Sequence, residues 1–486
     1  MKVVLVNPPE STYQDHFSRT HPYAPLGLAY LAAYIREMGV DVEIIDAHIE
    51  KLKLNILLKR IDRAQPNLIG MSIFTQGRFP AMEFARGIKR YFPKIPLVVG
   101  GPHATLCTED LLQNVPEIDY IIQSEGEVTL MKLCQFIERG DDPHDIDGIS
   151  FIDGGTVIQR RKRPAIENLD SLPFPARDLL PMGLYKSNIR TAATKIKGAA
   201  EGLITSRGCP MNCYYCASTR VEPRWRGRSP ENVIEEMKLI IDQYKKRNFF
   251  IWDDAFTFDV ERAERILQLI ITERLDVKYI LHSRFRNLSF ELIELLKESG
   301  CAGLRMGAES GSPEILKQIT APRKQTVEEI YQAADWCERA GLQADISFII
   351  SHPNETEDNF EQTMDVIRRL AKFRNVATHL NVMHIYPGSK VEEYAKKHGI
   401  LPANFSWSQK TDDKNLESIT AFDGEIPVFM DKFDMPTIYK YLAQWAKIAK
   451  RSPLQVLGQS IRNIRYKEDI YRLLYMAKAY LLRNFT

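Results

Sequence analysis

The sequence predicts an α/β protein: an N-terminal doubly wound parallel sheet, then a partial (β/α)6 barrel, then a helical C-terminal region. Three observations predict it. Residues 1–150 alternate Val- and Ile-rich runs with helical stretches, a second strand-and-helix series starts near residue 200, and a proline-rich stretch separates the two. Strands that are each followed by a helix imply parallel pairing, with ligands at the carboxyl ends of the strands. A chain of 486 residues suggests two or three domains. The expected units are a Rossmann-like domain over 1–145, a connector over 146–195, a barrel over 196–400 and a helical domain over 401–486.

In the first series, KVVLVNPP is a buried strand, LGLAYLAAYIREMG a helix ending at Gly39, DVEIIDAH a strand, and LNILLKRIDRAQP a helix that stops before Pro66. NLIGMSIFT, FPAMEFARGIKRYFP, PLVVGGPH and DYIIQSEGE continue as strand, helix, strand and strand. Asn7-Pro8-Pro9, Asp46, Ser72, Gly100-Gly101-Pro102-His103 and Glu125-Gly126-Glu127 each follow a strand, where loops face a ligand. FIDGGTVIQRRKRP reads as a small hairpin, and LDSLPFPARDLLP carries three prolines that oppose regular structure. The second series supplies GLITSRG, NFFIWDDAF, YILHSRF, CAGLRMGAESG, ADISFIISHP and THLNVMHIYPG as strands. A barrel built from them has its active site at the strand carboxyl ends.

Composition excludes several classes. Hydrophobic residues make up 44% and charged residues 26%, as in a globular protein. Lys and Arg exceed Asp and Glu by 65 to 63, so no global positive field points to nucleic acid. The apolar run in MKVVLVNPPE is too short for a signal peptide, and no run of about 18 apolar residues indicates a spanning helix. A cytoplasmic location is expected. Seven cysteines in a chain of this length make no disulfide framework.

Three of those cysteines lie within SRGCPMNCYYCAS: Cys209, Cys213 and Cys216, just after the first barrel strand. A structural zinc site needs four ligands, commonly as two spaced pairs, and no second pair follows. Three thiolates suit a [4Fe–4S] cluster with its fourth iron open. Cys107, Cys134, Cys301 and Cys337 read as buried apolar residues.

CPMNCYYC resembles the C-x-x-x-C-x-x-C loop of radical S-adenosylmethionine (SAM) enzymes, including the aromatic Tyr215 before the third cysteine. The resemblance implies that SAM chelates the open iron and is cleaved to methionine and a 5′-deoxyadenosyl radical. It also implies a low-potential electron donor such as flavodoxin or ferredoxin. In WDDAF, Asp253 and Asp254 are candidates for the methionyl amine, although acidic strand ends also cap helices. Arg284 in HSRF is a candidate for the SAM carboxylate, with a plain surface arginine as the alternative. GAESGS makes Glu309 a candidate for the ribose hydroxyls, its flanking glycines permitting close approach. SFIISHPNET resembles F-I-x-G-x-P-G-E-T with Ser351 and Asn354 in place of two glycines. HIYPGS matches the sixth-strand ending and reads equally as a turn.

The N-terminal domain resembles the cobalamin-binding domain that precedes many radical SAM modules. Ser72-Ile73-Phe74 stands for its S-x-L, and Gly100-Gly101 follows. D-x-H-x-x-G after the first strand is absent; DAHIEK follows the second strand and lacks the glycine. Ser72, Gly100, Gly101 and Glu125 are therefore the candidate cobalamin contacts, while His48 and His103 read as strand-end residues rather than cobalt ligands. The implied reaction is cobalamin-dependent radical methylation of an unactivated carbon on a small-molecule or lipid-like substrate. Alternatives on the same scaffold are cyclisation, oxygenation or carbon–carbon coupling of a tetrapyrrole or lipid, and a cobalamin-sensing regulatory module. Methylthio transfer to tRNA lacks its second three-cysteine cluster.

Residues 435–486 hold ten Lys or Arg against two acids, and Arg462, Arg465, Asp469 and Arg472 fall on one helical face. A packed helix explains this. An interfacial helix making peripheral membrane contact is the alternative.

Overall fold

The computed structural model describes residues 1–9, 23–186, 196–320, 325–410, 418–419 and 426–449. Val3 to Val6 are at most 1% exposed, as a strand covered on both faces requires. They form β1 (Lys2–Asn7) of a sheet continued by α1 (Leu26–Glu37), β2 (Asp41–Asp46), α2 (Leu54–Ala64), β3 (Leu68–Ser72), α3 (Arg78–Tyr91) and β4 (Leu97–Gly100). Next come α4 (Pro102–Leu106), α5 (Thr108–Asn114), β5 (Tyr120–Ile122), α6 (Glu127–Arg139), β6 (Ile149–Asp153) and β7 (Thr156–Gln159). The strand order is β2-β1-β3-β4-β5-β6-β7, parallel through β5 and antiparallel beyond it. Helices α1 and α6 cover one face, and α2, α3 and α5 the other.

Two features differ from the sequence reading. PLVVGGPH and DYIIQSEGE are read as consecutive strands, but α4 and α5 lie between them. Parallel β4 and β5 cannot be joined by a tight turn, and two helices this short leave little periodic signal. The hairpin expected within the connector turns at Gly154 and Gly155, both at positive φ, and pairs with β5. It therefore extends the first sheet.

The second series follows as β8 (Ala200–Leu203), β9 (Ser206–Arg207), α7 (Ser218–Val221), β10 (Arg226–Gly227), α8 (Pro230–Tyr244), β11 (Asn248–Ile251), α9 (Val260–Thr272) and β12 (Lys278–Ser283). It continues through α10 (Phe290–Glu298), β13 (Cys301–Glu309), α11 (Pro313–Ile319), α12 (Val327–Ala340), β14 (Ala344–Ile350), α13 (Glu357–Leu370) and β15 (Val376–Val382). Six parallel strands run in the order β15-β14-β13-β12-β11-β8, an open partial barrel. Alternation decides its two faces: Phe249 and Ile251 join the core under the helices, while Phe250 turns inward with Ala200 and Ile280. Thr326 and Glu329 form a capping box that starts α12, and Gly341 ends it in the left-handed region.

The chain closes with α14 (Lys390–Lys397), the ribbon β16 (Ser418–Ile419) and β17 (Ile426–Pro427), and α15 (Met435–Ile448). Tyr441 of α15 stacks on Phe360 of α13 at 3.6 Å. Met383, Ile385, Val391, Leu401, Trp407 and Phe429 pack into the core of the first sheet, so the expected boundary at 400 does not divide the packing. The charged face over Arg462 to Arg472 lies outside the described residues.

Candidate active site

The cysteine loop hangs between β9 and α7, and the β9–β10 ribbon closes its neck. Gly208 opens it at φ +83, where a Cβ would sit 2.1 Å from the Arg224 carbonyl oxygen; only glycine fits. Farther along, the Tyr214 N–H donates to Ile319 O at 3.1 Å, and the Cys216 N–H to Cys213 O at 3.2 Å. Burial pushes the Cys209 thiol up to about 11. Burial also raises Cys213, against the pull of the Arg284 charge. Cys216 Sγ accepts from the Ser218 N–H at 3.4 Å.

All three cysteines line one cavity of about 820 Å³, together with Asp254, Arg284 and Glu309. Among the described residues no three His, Cys, Asp or Glu side chains converge tightly enough to hold one metal ion. A four-iron cluster binds each thiolate at a separate iron and needs no such convergence. The other four cysteines are buried elsewhere, so none completes a fourth ligand here.

Glu309 ends β13 at φ +65, a left-handed conformation that costs a non-glycine residue energy. Its carboxylate turns back over Gly307, where a Cβ would lie 1.9 Å from Oε1. Tyr215 Oη donates to that oxygen at 2.6 Å, tying the cysteine loop to the fourth barrel strand. Burial pushes the Glu309 carboxyl up to about 7, opposed by the Tyr215 hydrogen bond and the Arg284 charge. Asp254 opens onto the cavity, and burial with the neighbouring Asp253 charge raises its carboxyl.

The fifth-strand turn keeps the glycine backbone without the glycines. Ser351 and Asn354 hold φ +70 and +61. Glu355 accepts from the Ser351 N–H at 2.7 Å and the His352 N–H at 3.0 Å, and Asp431 from the Asn354 N–H at 2.8 Å. Those charge-assisted bonds offset the strain. His352, kept neutral by burial that lowers it to about 4, donates Nε2–H to the Glu309 carbonyl at 3.4 Å. HIYPGS is a turn into α14, with Gly388 packed on Leu106.

Two residues fall elsewhere. Asp253 does not line the cavity: its carboxylate, 1% exposed, accepts from the Thr205 N–H and from the Thr205 and Ser206 hydroxyls, which staples the end of β11 to the start of the cysteine loop. Glu125 is held by Arg207 at 3.2 Å, by Arg226 at 2.9 Å and by the Ile166 N–H at 2.8 Å. Burial alone would raise its carboxyl, but Arg226 and Arg207 outweigh that and hold it below the ordinary range. Arg207 stands two residues before Cys209, so Glu125 clamps the loop.

In the first domain, Ser72 pairs in register with Gly100. Gly101, at φ +95, lies so close that a Cβ would meet Ser72 Oγ at 2.8 Å and Ile73 O at 2.9 Å. A side chain there would clash with the backbone at the sheet's carboxyl end, so the close packing of β3 on β4 requires glycine. His103 is fully buried against Thr75 at 3.2 Å, and burial with the Arg78 charge lowers it to about 3. Sequence reasoning missed the cavity's inward-facing His282, Arg305, Asp345 and His379. Every second residue of a barrel strand was the available signal.

A family model described as the radical SAM superfamily matches residues 203–367, and one described as a B12 binding domain matches residues 17–134. An uncharacterized methyltransferase of Pyrococcus horikoshii is 34% identical over 87% of this chain and 89% of its own length. An anaerobic magnesium-protoporphyrin IX monomethyl ester cyclase of Rubrivivax gelatinosus is 25% identical over 76% of this chain and 66% of its own. Among solved structures, the radical SAM methyltransferase TsrM of Kitasatospora setae, with cobalamin and a [4Fe–4S] cluster, matches at TM-score 0.71 and 16% identity over 99% of both chains. The chain belongs to the radical SAM superfamily, in the group whose barrel is preceded by a B12-binding domain. Membership brings a [4Fe–4S] cluster, SAM and cobalamin, and the cysteine loop and its cavity fit the first two.

Proposed function

We propose that this enzyme methylates an unactivated carbon of a small molecule. One cavity carries this reading: it joins a three-cysteine loop to Asp254, Arg284 and Glu309, in a chain whose first domain matches a B12 binding domain. Cys209, Cys213 and Cys216 hold the cluster. Asp254 accepts from the SAM amine, Arg284 pairs with its carboxylate, and Glu309 accepts from the ribose hydroxyls. Ser72, Gly100 and Gly101 take the cobalamin, its tail approaching the backbone where no Cβ intervenes. When bound, these groups supply a hydrogen-abstracting carbon radical and a transferable methyl group. The chain's own share is positioning and exclusion of water: Tyr215 fixes the Glu309 carboxylate, and Asp253 fixes the loop.

A low-potential flavodoxin or ferredoxin supplies the electron in this proposal. Among the described residues no helix is long and apolar enough to cross a membrane. Peripheral contact through the C-terminal segment remains a proposal, tested by flotation of the full chain with anionic vesicles. Similarity to the magnesium-protoporphyrin cyclase favours ring closure as the second reading.

The test is anaerobic reconstitution with iron, sulfide and hydroxocobalamin. About four irons and one cobalamin per chain, with 5′-deoxyadenosine formed from SAM and dithionite, are expected. Iron without cobalamin would sink methylation and leave ring closure. No deoxyadenosine would sink both.

A further inference from the structure

Beneath the cofactor row, the inner face of the barrel carries a second polar row. Parallel register sets His282 beside Arg305, and Arg305 beside Asp345. Two residues on, Arg284 follows β12, Gly307 stands beside Ser347, and Ser347 beside His379. Residues two apart share a face, so both rows look into the same cavity. At about 3.3 Å per residue, Arg305 lies about 13 Å along β13 from Glu309.

The lower row holds one cation, Arg305, and one anion, Asp345, and no ion pair joins the two. Arg305 sits over the Phe250 ring at 4.9 Å, and among the described residues it makes no hydrogen bond or ion pair. His282 adds no charge of its own, because burial and then the Arg305 charge lower it to about 4 and keep it neutral. Asp345 faces His379 at 3.4 Å. A guanidinium that no ion pair among the described residues engages keeps its hydrogen-bond donors for a ligand, and a hydrocarbon substrate that dehydrated it would be costly. An oxyanion would remove the cost, and the planar fork of arginine matches a carboxylate or phosphate in two parallel hydrogen bonds.

We propose that Arg305 anchors a substrate subsite that takes an oxyanion group, carboxylate or phosphate, at the cavity floor. The Asp345–His379 pair beside it then receives a neighbouring hydroxyl or ammonium. Arg305 is thus a specificity-determining residue, and the reacting carbon lies between this anchor and the cysteine loop. The inference rests on the assignment of the upper row to SAM made above.

The test uses reconstituted enzyme saturated with SAM, titrated calorimetrically with phenylphosphonate, benzoate and uncharged benzyl alcohol. Expected is a preference of about tenfold or more for one or both anions, the better anion identifying the group. Arg305→Gln should reduce it below about threefold, and Arg305→Lys, which keeps the charge but not the fork, should give an intermediate preference. No preference in the unaltered enzyme, an undiminished one in Arg305→Gln, or an equal loss in both variants overturns the proposal. 5′-Deoxyadenosine formation from SAM and dithionite by the unaltered enzyme is measured alongside. Its absence counts against the proposed SAM site in the upper row and leaves the anion preference readable.

Discussion

Glu309→Gln separates what the folded chain tolerates from what the cofactor needs. The Glu309 carboxyl has its pKa raised from 4.5 to about 7, burial being the largest cause. Between those values the unfolded chain has already released a proton that the folded chain still holds, so stability falls as pH rises through the window. About 2.5 pH units at 1.36 kcal/mol each amount to about 3 kcal/mol lost by pH 8. Glutamine keeps the shape and the Tyr215 hydrogen bond without ionising. Cofactor-free Glu309→Gln should therefore gain about 3 kcal/mol at pH 8 and under about 1 kcal/mol at pH 5, read from urea unfolding at both values. In the reconstituted enzyme its SAM affinity should drop about tenfold. A change in stability of equal size at both pH values would refute the reasoning, because it would not come from the carboxyl proton.

Gly101→Ala should destabilise by about 2–4 kcal/mol, since the new Cβ meets Ser72 and Ile73 at a left-handed φ, and should weaken cobalamin binding without lowering iron content. An unchanged urea midpoint would count against it. Arg177, 1% exposed, ties the connector to the barrel through Glu236 at 2.7 Å and Glu201 at 3.3 Å. Arg177→Met should cost about 3 kcal/mol because it strands buried carboxylates, partly relieved by Arg228 and Lys246. A loss under about 1 kcal/mol would mean those two cations suffice. Cys213→Ala should abolish 5′-deoxyadenosine formation while shifting stability by under about 1 kcal/mol, and retained formation would remove Cys213 from the ligand set.

The cysteine loop was legible because its ligands are neighbours in sequence, and a short-range spacing survives any tertiary arrangement. The same holds for the six barrel strands, whose apolar residues report the face packed under the helices, and for Gly101, whose backbone conformation excludes a side chain. Ser351 and Asn354 were harder. They depart from the glycine pattern, and the bonds to Glu355 and Asp431 that let them keep a left-handed backbone come from the turn itself and from a residue 77 positions away.

By itself, the sequence determined the order of the main strands, the cluster-binding loop and the residue types at each strand end. Only the tertiary structure decided which of those residues meet. Asp253 and Asp254 are adjacent in the chain, yet one is spent on Thr205 and Ser206 and the other opens onto the cavity. Glu125 becomes a clamp because Arg207 and Arg226, about eighty and a hundred residues on, are brought to it. Arg305 becomes a candidate anchor because register places it beside a neutral histidine and a carboxylate that faces another partner. The reason is physical: spacing along the chain is covalent, whereas a side chain's charge balance is set by neighbours that folding delivers from distant strands.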